Sequence, residues 1–151
     1  MIYTGEKNIR EAPMSFPSPK EFYESFKNDS EAAKRASYKI GQELGQSFQQ
    51  KLNAWGNDLE TVAKVLNEFQ TTVQGNPNAK VEGNTVTMRC TGFCPIMRAA
   101  LTLNIPWSWL DTSFAWPMIQ GIASHVMPGI RLRLPSAKSR GDDSCIYVFE
   151  K

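Results

Sequence analysis

The apolar residues of this chain change their period partway along. From Ala33 to Phe69 they recur three and four apart: Ala33, Ala36, Ile40, Leu44, Phe48 and Leu52, then Leu59, Val62, Ala63, Leu66 and Phe69. That spacing draws one stripe along a helix. Beyond Lys80 the period becomes two. Val86, Met88 and Cys90 alternate with Thr85, Thr87 and Arg89. Ile130, Leu132 and Leu134 alternate with Arg131 and Arg133, and Tyr147 and Phe149 with Ile146 and Val148. Alternation is the mark of a strand with one covered face. Helices and strands that each carry one apolar face must bury those faces together. The expected class is therefore α+β, a single domain with an antiparallel sheet covered by helices. A chain of 151 residues is long enough for one such core.

Local signals place the boundaries. Ser30 is a good N-cap and Glu31 suits the first turn of the long helix, which Gly56-Asn57 is expected to end. Asp58 caps the next helix. Gly41 and Gly45, four apart, imply that another element comes close to the long helix. Gly75-Asn76-Pro77-Asn78 is a turn cluster, and Gly83-Asn84 is a two-residue hairpin signal. Cys94-Pro95 opens a helix to about Asn104, with Pro95 at its first position. Trp107 to Met127 reads as helical with a break or kink at Pro117, and Gly141-Asp142-Asp143 joins the last two strands. Residues 1–28, with Pro13, Pro17 and Pro19, read as an arm. Part of it docks through Phe16, Phe22, Tyr23 and Phe26 onto the domain proper, 29–151.

Composition excludes some functions. A net charge of +2 is too small for a phosphate-backbone binder, so no nucleic-acid partner is expected. The most apolar stretch, Phe93 to Met127, is interrupted by Arg98, Pro106, Asp111 and Pro117, so no membrane span is expected. Met1 to Arg10 carries no apolar export signal. With three cysteines, an odd number, the expectation is a soluble protein with reduced thiols in the cytoplasm.

Chemistry concentrates in two sets of residues. Cys90 and Cys94 flank the junction of a strand and a helix, and Cys145 opens the last strand. With Asp111 or His125 as a fourth ligand they form a candidate site for a metal, zinc being the best match. The competing reading makes them buried small hydrophobes. Cys94, at a helix N-terminus, is also a candidate nucleophile with His125, the one histidine, as its base. The second set is aromatic. Trp107, Trp109, Phe114 and Trp116 surround Asp111 and read either as core or as the walls of a pocket for a flat ligand. Arg131, Arg133, Lys138 and Arg140 read as the solvated face of a strand and its turn.

The ending Gly141-Asp142-Asp143-Ser144-Cys145-Ile146-Tyr147-Val148-Phe149 resembles the Gly-Asp-x-x-Cys-x-Phe ending of 4-vinyl reductase domains. It also resembles that of the L-2-amino-thiazoline-4-carboxylate hydrolase-like proteins. Cys94-Pro95, Pro128-Gly129-Ile130 and the helix with Gly41 and Gly45 are similar to features of the same group, over roughly Ser30 to Lys151. The resemblance implies a small-molecule-binding α+β domain linked to tetrapyrrole metabolism, aromatic sensing or ring-opening hydrolysis. It also implies a zinc site of three cysteines and a glutamate. Cys145 matches the last cysteine and Asp111 falls near the first, whereas Leu134 and Ala137 stand where the other two ligands belong.

The leading expectation is a sensor or carrier with an apolar, tryptophan-lined pocket for a small hydrophobic or aromatic molecule, such as a tetrapyrrole, next to a cysteine-held metal. One alternative is a hydrolase of a small heterocyclic amide-like substrate, acting through Cys94 or a metal-bound water. Another is an interaction module that pairs with a second copy of itself as a homodimer.

Overall fold

The computed structural model describes residues 17–90 and 94–151. Among the described residues six α-helices and four strands follow one another as α1 (Pro19–Phe26), α2 (Ser30–Leu52), α3 (Leu59–Thr72), β1 (Lys80–Glu82), β2 (Thr85–Cys90), α4 (Pro95–Leu103), α5 (Trp107–Leu110), α6 (Trp116–Val126), β3 (Arg131–Ser136) and β4 (Cys145–Glu150). The strands form one antiparallel sheet in the order β1-β2-β4-β3. This is the α+β architecture that the two periods require.

Side-chain oxygens start α2 and α3. Asp29 accepts the Ala32 N–H and Asp58 the Thr61 N–H, each at 3.0 Å. The cap of α2 is thus Asp29 rather than Ser30. That helix also stops earlier than Gly56-Asn57 suggests, because Asn53 takes a left-handed conformation (φ 51°) after Leu52. In the β1–β2 hairpin Gly83 supplies the positive φ, 62°, that the tight turn needs. Segment 17–28, within the expected arm, contains α1, which buries Phe22. Phe16 and the rest of 1–16 lie outside the described residues.

One face of the sheet, with Val86, Met88, Cys145, Tyr147 and Phe149, is buried. Helices α3 and α6 pack near it, and α2 packs across α6 and α3 as an outer layer. Helix α6 buries Met118, Ile119, Ile122, Ala123 and Val126. Each of these side chains except Ala123 contributes about 1.5–3 kcal/mol to folding. The α2–α6 crossing is close because Gly41 and Gly121 face each other. A Cβ on Gly41 would overlap the Met118 carbonyl, and one on Gly121 would overlap the Tyr38 carbonyl. Gly45 meets the Ile122 carbonyl oxygen at 2.9 Å from where its Cβ would stand. The close approach anticipated at Gly41 and Gly45 is therefore made by α6.

Helix α6 follows α5 through Pro117 with no interruption of helical backbone. The join is a π turn, Asp111–Ala115, in which the Trp116 N–H reaches back to the Asp111 carbonyl. Pro117 has no N–H and its ring crowds the preceding turn, and the wider turn stands immediately before it. The Ser37 hydroxyl of α2 donates to the Phe114 carbonyl within this turn.

Primary amides finish the edges of the sheet. Gln120 donates to the Ile130 carbonyl (2.9 Å) and accepts the Leu132 N–H (2.7 Å), satisfying outer backbone groups at the start of edge strand β3. Asn78 does the same for Arg89 beyond the end of β1, at 2.9 and 2.8 Å. Among the described residues no helix is long and apolar enough to cross a membrane.

Candidate functional site: a corner of thiols, tryptophans and a buried carboxyl

Register brings the first two thiols together. Cys90, the last residue of β2, is the partner of Cys145, the first of β4. Residues opposite each other in an antiparallel pair point to the same face. Four residues after Cys90, Cys94 starts α4 as its N-cap, its Sγ accepting the Met97 N–H at 3.4 Å. Pro95 at the next position has no N–H to satisfy.

Cys90 and Cys94 share a sulfur–sulfur hydrogen bond. That bond, above all, brings the Cys94 pKa down from 9.0 to about 6; burial opposes it, and the Met97 and Ile96 N–H groups add to it. The same bond raises Cys90, with burial second. Burial raises Cys145, whose Sγ accepts the Lys138 N–H at 3.3 Å. All three cysteines are reduced thiols.

The long α5–α6 helix supplies the other wall. Trp107 and Asp111 are four apart, and the π turn brings Trp116, five further on, back to the same side. Asp111 is only 3% exposed. Burial pushes its carboxyl above the usual range, and nearby Ser139 and Arg140 draw it partly back. Both come from the 3-10 turn Lys138–Arg140 between β3 and β4. The Arg140 guanidinium sits 5.8 Å above the Trp116 ring and donates to the Leu134 carbonyl at 2.6 Å. Charge on Asp111 is felt at both Cys94 and Cys145, which ties the two walls into one site.

Its polar groups are poorly satisfied. Trp107 Nε1 and Trp116 Nε1 are buried and have no hydrogen-bond partner among the described residues; Asp111 Oδ2 and Ser139 Oγ are buried near each other without hydrogen-bond geometry, although the hydroxyl is close enough to lower the carboxyl's pKa. Each such group costs about 1–3 kcal/mol, and natural proteins hold few of them.

The structure separates other residues that the sequence grouped. Trp109 and Phe114 do not join Trp107 and Trp116. Trp109 packs edge-on against Tyr23 (4.9 Å between centroids), and Phe114 packs on Phe22 (4.7 Å), so both belong to the seat of α1. His125 lies fourteen residues beyond Asp111 on the same helical rod, roughly 20 Å away. It borders a shallow groove of about 220 Å³ with Lys39, Gln42, Glu43 and Gln46, so the pairing of Cys94 with a His125 base is not what the fold brings together. A larger open groove, about 380 Å³, lies between Tyr38, Gln120, Ser124 and Arg131, and its amide and hydroxyls are already paired. Spacing alone put Arg140 on a solvated basic stretch and did not single out Ser139, since only the fold returns their turn to Asp111.

The metal expectation is corrected. Among the described residues no group of three or more His, Cys, Asp or Glu side chains could hold a metal ion. Cys90, Cys94, Asp111 and Cys145 belong to one corner, but among the described residues no three of them meet as a ligand set.

No family model matches the chain, and no curated protein matches it. Among solved structures the fold is similar to trafficking protein particle complex subunit 3 from Naegleria fowleri, covalently bound to palmitic acid. The similarity has a TM-score of 0.54 at 13% identity, over 87% of this chain and 86% of that one. This corrects the resemblance to 4-vinyl reductase and hydrolase-like proteins, whose short shared ending reflects a turn-and-strand pattern rather than membership. At this identity the likeness concerns the fold alone.

Proposed function

We propose that this chain is a small-molecule-binding domain, a carrier or sensor, whose ligand sits in the corner of Cys94, Trp107, Asp111 and Trp116. The observation that carries the reading is the set of unpartnered buried atoms there, two indole N–H donors and a carboxyl oxygen. A flat organic molecule with a carbonyl-like acceptor and a donor of its own would satisfy them. It would also stack on the tryptophans, which are only partly buried and can turn aside to admit it. Cys94 gives the site a nucleophilic edge, so an electrophilic or acyl ligand would be held there as an adduct. Palmitic acid bound covalently to the neighbouring fold is compatible with that chemistry.

The test is a thermal-shift screen with flat aromatic amides, heteroaromatic acids and fatty acyl thioesters, read together with tryptophan fluorescence and intact mass. A true ligand raises the melting temperature and changes the emission, and both responses vanish in Trp116→Leu. If no compound of these classes moves either signal, the corner is not a binding site.

A second reading is an assembly role, favoured by Leu101 (75% exposed) and Leu103 (38%) on α4, a helix that packs mainly against α5. Sedimentation of the intact chain decides it: a monomer across micromolar concentrations removes self-association.

A further inference from the structure

We propose that Cys90 and Cys94 form a peroxide-sensitive dithiol that closes to a disulfide, with Cys145 left out. The inference does not depend on any ligand being bound. Three observations carry it. Cys90 ends β2 and Cys94 opens α4 four residues later, and their sulfurs are in hydrogen-bond contact. Cys94 sits at the N-terminus of a nine-residue helix, where the Met97 N–H already points at its sulfur. Cys145, the cross-strand partner of Cys90, is turned to the Lys138 N–H. The lowered pKa of Cys94 supports the same division of roles.

Each step balances. The Cys94 thiolate attacks one oxygen of a hydroperoxide; an S–O bond forms, the O–O bond breaks, and hydroxide or alkoxide departs. Cys94 is then a sulfenic acid, its sulfur oxidised by two electrons and the peroxide reduced by two. The Cys90 sulfur attacks the Cys94 sulfur. An S–S bond forms, the S–O bond breaks, and the hydroxide leaves as water with the Cys90 proton. Because Cys94 is only 7% exposed, small hydroperoxides reach it more readily than a bulky disulfide such as oxidised glutathione.

Tryptic cleavage after Arg89, Arg98 and Arg140 makes the result readable, since Cys90 and Cys94 fall in peptide 90–98 and Cys145 in peptide 141–151. The full-length reduced chain is treated with equimolar hydrogen peroxide, alkylated and digested without reductant. The expected product is peptide 90–98 lighter by two hydrogens and unalkylated, with Cys145 alkylated. Cys90→Ser stops at a sulfenic acid on Cys94 that a dimedone probe captures, and Cys145→Ser reacts as fast as the parent. Cys94→Ser slows peroxide consumption roughly tenfold or more. A cross-link between peptides 90–98 and 141–151, or full alkylation of all three cysteines after peroxide, overturns the proposal.

Discussion

The α2–α6 crossing and the thiol–tryptophan corner lie on one helical rod and follow opposite rules. At the crossing, backbones approach to glycine distance and the polar groups described there have partners: Ser37 with Phe114, Tyr38 with Ser124 at 2.7 Å. At the corner, Asp111 is buried and two indole N–H groups lack partners. Dense packing with satisfied polar groups supports stability; unsatisfied ones cost it. The contrast teaches where to look for function on this rod, because the fold sacrifices stability on only one of its two ends.

The largest effect should come from breaking the crossing. Gly121→Ala would push a methyl into the Tyr38 carbonyl, which is backbone and cannot swing away. We expect a loss of about 3 kcal/mol or more, read by urea denaturation, and circular dichroism will show whether the chain still folds. A loss below about 1 kcal/mol would mean the helices separate easily, and the contrast with the corner would weaken.

The corner should show itself next, through pH. Cys94 has a folded pKa of about 6 against an ordinary 9.0, so the unfolded chain binds more protons between those values. Stability from this group therefore rises with pH across that window and is lost as pH falls through 6. Cys90 acts in the opposite sense, since its raised pKa withdraws stability above about pH 9. Melting temperature against pH should climb from pH 6 to 8.5 in the parent and flatten in Cys94→Ser. An unchanged slope in that variant would place the titration elsewhere.

The smallest effect should be a gain. Asp111→Asn keeps the shape of a buried carboxyl and removes its charge, so we expect stabilisation of about 1 kcal/mol by the same denaturation assay. A loss of similar size would show that Asp111 already serves the fold, and the corner would then resemble the crossing.

The periods were enough for α2, α3, the strands and the α+β class, because helical and strand spacing are local geometry; α1 lay within what read as an arm. Capping chemistry was legible too: Asp58 before α3 and Cys94-Pro95 before α4 act as their positions suggest. Convergence of Cys90, Cys94, Cys145, Asp111, Trp107 and Trp116 was partly readable, as a guess that these residue types belong together. The ligand set drawn from them was not, because whether side chains meet at ligand distance depends on how the separate elements pack.

Sequence alone determined the class of this fold, its closely approached glycines at Gly41 and Gly45, and the seat of Cys94 on a helix start. Those follow from spacing and from what glycine and proline permit over a few residues. Tertiary structure alone decided that Trp109 and Phe114 seat α1 while Trp107 and Trp116 face Asp111. A π turn shifts the helical phase before Pro117, and such a shift leaves no mark in residue spacing. It likewise decided that Ser139 and Arg140 return to Asp111, and that His125 stands far along the rod, because the path of a chain between elements is set by what each element must bury.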